Sequence, residues 1–96
     1  MKLSDKALAA LETYVPRHMH GGLIRYFEDH LPPGHFLTAV LAGDLFEAIA
    51  RADDVNKQAL PGYVLWLFNY IPGRPNGWGS YEAVKKWVAQ REEVEA

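Results

Sequence analysis

The sequence predicts an all-α protein, a compact bundle of five or six short helices around a central apolar helix at about residues 60–71. Three observations predict it. The stretch from Leu60 to Ile71 has no charged residue, and its apolar side chains fall on every side of a helix, so it needs neighbours all round. Elsewhere, apolar residues recur three and four positions apart in short runs broken by glycine and proline. No run alternates apolar and polar residues over the length of a strand.

Each element has its own signal. Ser4 is an N-cap, and Ala7, Leu8, Leu11, Tyr14 and Val15 follow at helical spacing until Pro16 intervenes, giving a peripheral amphipathic helix. Residues 17–22 read as a loop in which Gly21 and Gly22 permit a tight reversal. Leu23, Ile24, Phe27 and Leu31 form one face of a second helix, which stops near His30 because Pro32 disfavours helical geometry just before it. From His35 the pattern is helical again through Phe36, Leu37, Val40 and Leu41, up to Gly43. Asp44, with Glu47 three residues on, has capping-box spacing for a further helix that would bury Leu45, Phe46, Ile49 and Ala52. Asp53 and Asp54 cap the segment from Val55 to Ile71, which Pro61 is expected to kink. Residues 72–79, with two prolines and three glycines, form the one long loop. Ser80 then caps a last helix with Tyr81, Val84, Trp87 and Val88 inward, and its charged tail frays from about Arg91.

Composition narrows the function. Ninety-six residues make one domain, 1–96, able to build a core without staples. With no cysteine, disulfide and thiolate-zinc chemistry are excluded. A net charge of −2 gives no general attraction to a phosphate backbone, so a nucleic-acid partner is disfavoured. The longest uncharged run is well short of the roughly 20 residues of a membrane span, and the N-terminus lacks a signal-peptide core, so no membrane association or export is expected.

Two polar constellations are candidate binding sites. In the first, His20, Gly21 and Gly22 precede a helix; free amides there, with Arg25 as a planar fork and Tyr26 as a stacking surface, suit a phosphate or nucleotide. The plainer reading is a glycine reversal beside an exposed arginine and a half-buried tyrosine. In the second, Arg74, Asn76, Trp78, Gly79 and Ser80 surround another helix start, with the indole as an anchor for a base or a partner's side chain. Here the plainer reading folds Trp78 back over the core. Asn69, a polar amide in the apolar stretch, needs a partner or a pocket if buried.

Metal and catalytic chemistry find little support. His18 and His20 are two apart, a spacing that does not align them on a helix, and His30 and His35 flank a proline hinge. There is no GxSxG or phosphate-loop motif, and Glu12, Glu28, Asp29, Asp44 and Glu47 read as solvated faces or caps. The expectation is a non-enzyme without metal or cofactor.

The order of these features resembles a family of small, mostly uncharacterised proteins encoded in bacteriophage and prophage genomes. The resemblance runs from about His20 to Trp87. It rests on His20-Gly21-Gly22-Leu23 with Arg25 and Tyr26, Pro32-Pro33-Gly34, Phe36-Leu37, Ala39-Val40-Leu41, Asp44-Leu45, Ala52-Asp53 with Asn56, Phe68-Asn69, Pro72, and Trp78-Gly79-Ser80 with Trp87. Phe68 stands where the pattern has tyrosine, and the loop before Trp78 is longer. The resemblance implies a protein working in the host cytoplasm and acting by binding, for example by blocking a host defence factor. Tyr14, Tyr63, Trp66, Tyr70 and Trp78 exceed what one small core needs, a surplus that suits a protein interface or self-association. The expected function is therefore a host-protein antagonist. An oligomeric sponge for a nucleotide signal, gripped by Arg25, Tyr26, Arg74 and Trp78, is the first alternative. A helical DNA-binding regulator using residues 35–51 is the second, against which Asp44, Glu47, Asp53 and Asp54 argue.

Overall fold

Side-chain caps set where most of the helices begin. Ser4 accepts the Ala7 N–H, and α1 (Asp5–Tyr14) starts there. Asp44 does the same for α4 (Leu45–Arg51) through the Glu47 N–H, and Asp53 for α5 (Asp54–Tyr70) through the Asn56 N–H. Ser80 caps α6 (Tyr81–Glu95) by accepting the Ala83 N–H at 3.0 Å. Each such cap contributes about 1 kcal/mol. The capping box at Asp44 is only half formed, because the Glu47 carboxylate turns to Arg51 at 2.8 Å. Between these lie α2 (His20–Asp29) and α3 (His35–Ala42), ended by His30 and Gly43 in the left-handed conformation.

The computed structural model describes residues 1–71 and 77–95, with side chains up to Arg91. Among the described residues there are six α-helices, one 3-10 turn and no strand, so the fold is the all-α bundle that the sequence predicts. Helix α1 lies across α5, and α3 packs on both α4 and α6.

The core is aromatic, and its polar ring atoms are tied to backbone. Trp66 sends its indole N–H from α5 to the Ala7 carbonyl of α1 at 2.9 Å. The indole of Trp87 bonds the Tyr26 carbonyl at 2.8 Å and so joins α6 to α2. Phe27, fully buried, sits between these two rings, with centroids 5.8 and 6.2 Å away. Burying such a side chain contributes about 3 kcal/mol. The hydroxyl of Tyr63 donates to the Asn56 side chain at 2.7 Å, which satisfies the one buried amide of α5.

Several expectations need correction. Residues 17–22 are not a reversal: Arg17–Met19 form a 3-10 turn that runs directly into α2, so Gly21 and Gly22 are helical. The turn is closed by Met19 N–H donating to the Pro16 carbonyl and His20 N–H donating to that of Arg17. The single helix expected to run through Pro61 is present as α5. That helix is covered on one side only: Tyr63, Trp66 and Leu67 are buried, while Val64, Leu65 and Phe68 are exposed. On α4 only Ala48 is buried, and Leu45, Phe46 and Ile49 face outward. Asn69 is exposed and needs no buried partner. Tyr81 is exposed rather than inward.

Gly62 decides how closely α1 and α5 approach. A Cβ at this position would be driven into the Tyr14 carbonyl. In an open helix, alanine would gain about 1 kcal/mol over glycine. Here overpacking of about 3 kcal/mol should win. Gly62→Ala is therefore expected to lower unfolding free energy by about 2 kcal/mol in chemical denaturation. A stabilised variant would show that the helices do not touch there.

Candidate functional site

The first constellation is used up by the fold. The His20 ring donates from Nε2 to the Val15 carbonyl at 2.7 Å. Arg25 is exposed and its guanidinium lies over Gly21. Tyr26, expected as a stacking surface, is fully buried, and its hydroxyl donates to the Gly77 carbonyl at 2.6 Å. Burial pushes its pKa above the ordinary tyrosine value. Because α2 is entered through a 3-10 turn, the amides leading into it already have carbonyl partners.

In the second constellation Arg74 and Asn76 lie outside the described residues. Gly79 donates to the Leu41 carbonyl at 2.7 Å, and Ser80 caps its own helix. Gly77 is held at φ 90°, with the Trp87 ring where a Cβ would stand, so only glycine fits. Trp78 is half-buried, its indole N–H donating to the Ile71 carbonyl at 2.8 Å. The ring folds back over the core and also reaches Phe68, with centroids 6.3 Å apart. The Tyr26–Gly77 bond ties the two constellations together structurally, through groups that face inward.

What the sequence reading placed inside is the more unusual surface. On α4, Leu45 and Ile49 are four residues apart and Phe46 and Ile49 three apart, so all three share one outward side. On α5, Val64 and Phe68 likewise stack one turn apart, with Leu65 beside them. Between the helices runs a groove of about 270 Å³, walled by Leu45 and Ala48 on one side and Leu60, Pro61 and Val64 on the other. Its floor comes from Ala39 and Val40 of α3. Phe68 then carries the apolar surface on to Trp78.

One charged group borders the groove. Asp44 accepts the Tyr81 hydroxyl at 2.6 Å as well as the Glu47 N–H. The Tyr81 hydrogen bond first, and the Glu47 amide second, hold its carboxyl below the ordinary aspartate value. By the same bond Tyr81 is pushed up to about 12. Among the described residues no three His, Cys, Asp or Glu side chains converge on a metal position, and no helix is long and apolar enough to cross a membrane.

No protein-family model, no curated protein and no solved structure matches the chain. The α4–α5 face is therefore read on its own chemistry. Its sequence signal was present: Leu45, Phe46 and Ile49 form an apolar stripe, but a stripe alone does not say whether a neighbouring helix covers it.

The Asp44–Tyr81 bond has a definite pH signature. A lowered folded-state pKa means that its stabilisation is complete above the ordinary value, about 3.9, and is lost as pH falls through the lowered one. Tyr81→Phe is expected to move the Asp44 titration midpoint upward, followed by NMR of the side-chain carboxyl carbon. An unmoved midpoint would mean that the bond does not form in solution.

Proposed function

We propose that this chain is a non-enzymatic binding protein that occupies a surface of another protein with the apolar face of α4 and α5. The observation that supports this reading is the exposure of Phe46, 87%, on α4 and of Phe68, 72%, on α5, the two helices that wall the groove. Contiguous apolar patches beyond a few hundred Å² are uncommon on free proteins and mark interaction sites. Aromatic side chains next to a concave apolar wall are the usual anchors of such interfaces.

The resemblance to phage-encoded proteins directs the choice of partner to a host protein in the host cytoplasm, with a defence factor as the leading class. The nucleotide-sponge alternative loses support from the burial of Tyr26 and from the helical placement of Gly21 and Gly22, which are not a loop before α2. A DNA-reading role loses support from α4, whose outward side is apolar, which is flanked by Asp44 and Glu47, and whose one arginine, Arg51, is paired with Glu47.

Affinity capture from a bacterial lysate tests this reading, with the wild type, Phe46→Asp and Arg25→Glu as baits. Both substituted positions are exposed, so stability should change by no more than about 0.5 kcal/mol. A host protein should be held by the wild type and by Arg25→Glu and lost with Phe46→Asp. Loss with Arg25→Glu alone, or retention of nucleotides and no protein, would overturn the assignment of the face.

A further inference from the structure

We infer that in the free protein the α4–α5 face is covered by a second copy of the chain, in a two-fold dimer built on α5 against α5. The inference rests on the reading of this face as the working surface, and names its occupant when no other partner is present. Three observations carry it.

The first is area. Aromatic side chains bury about 150–250 Å² each, so Phe46 and Phe68, at 87% and 72% exposure, offer roughly 300 Å². With Leu45, Ile49, Val64 and Leu65 the face reaches on the order of 600 Å² per copy. Two such faces together bury on the order of 1,200 Å², above the ~1,000 Å² that a specific interface should clear.

The second is charge. From Gln58 to Ile71 the chain has no charged residue, so two copies of the exposed side of α5 meet without opposing like charges. The net charge of −2 per copy adds little long-range repulsion at physiological salt. The one charged group that lines the groove, Asp44, keeps the Tyr81 hydroxyl and the Glu47 N–H as hydrogen-bond partners.

The third is shape. A two-fold interface uses the same patch on both copies, so the patch must hold both a projection and a recess that fits it. Phe46 projects into solvent next in sequence to Leu45, which walls a groove of about 270 Å³. An apolar cavity of about 150 Å³ already takes a benzene ring. The groove therefore has room for the Phe46 ring of the second copy, which would lie against Leu60, Pro61 and Val64.

Sedimentation equilibrium of the full chain tests this directly. The wild type should pass from monomer to dimer with a midpoint on the order of 1–10 μM, the weak end of the μM-to-pM range that interfaces of standard size span. Phe46→Asp and Phe68→Asp should each raise the midpoint roughly 100-fold, through an introduced carboxylate that must be desolvated. Their helical circular dichroism should be unchanged, since neither side chain belongs to the core. Arg25→Glu, on α2, should dimerise as the wild type does. A wild type that stays monomeric well above the expected midpoint overturns the inference, as does a dimer indifferent to both phenylalanine substitutions. These results separate from those of lysate capture. A monomeric wild type that still holds a host protein in a Phe46-dependent way sinks the dimer and leaves the working surface standing. A Phe46-dependent dimer that captures nothing does the reverse.

Discussion

The bundle depends on giving every buried aromatic ring with a polar atom a backbone or side-chain acceptor. An indole or phenol fills much of a small core but cannot leave its N–H or O–H unpaired there without a cost of about 1–3 kcal/mol. Here the acceptors are on other segments. Trp66 finds Ala7, Trp87 finds Tyr26, and Tyr26 finds Gly77, at sequence separations of 59, 61 and 51. Each bond is directional, so it fixes which helices meet and in what register, which apolar contact alone does loosely. Among the described residues no buried side-chain nitrogen or oxygen lacks a partner.

That constraint explains which aromatic residues remain outside. The residues with a polar ring atom and a reachable carbonyl, Tyr26, Trp66 and Trp87, are drawn in, and Tyr63 closes on Asn56 within its own helix. Phe27 and Phe36 fill the gaps between them. Once these are in place, α5 has one side packed and the other open, and α4, packed on α3, buries only Ala48. Phe46 and Phe68 have no place in the core. The exposed apolar side of α4 and α5 is thus the remainder of an aromatic-rich chain whose core is full.

Much of the fold was legible in the sequence because local chemistry dictates it. The caps at Ser4, Asp44, Asp53 and Ser80, and the break at Gly43, depend on neighbours three or four residues away, and the structure has each of them. Long-range packing was not legible. Gly21 and Gly22 resemble a reversal in sequence and are helical, because the turn of Arg17–Met19 supplies the carbonyls that start the helix early. The stretch from Leu60 to Ile71 is apolar on all sides, yet only one side is covered, and no periodicity distinguishes a face awaiting a partner from a face already packed. For the same reason Tyr63 and Trp66 were misjudged as surplus while Phe46 was placed inside. The Asn56–Tyr63 pair, seven residues apart on one helix face, was within reach of a spacing argument.

The exchange of the three indole protons with solvent, followed by ¹⁵N-edited NMR after transfer to deuterated water, tests the central constraint most directly. Trp66 and Trp87 should exchange only through global unfolding, slowing and quickening with overall stability, whereas the half-buried Trp78 proton should exchange through local opening. If Trp66 or Trp87 exchanged as fast as Trp78, their bonds would not be what holds the helices in place. The packing that leaves Phe46 and Phe68 outside would then lose its cause.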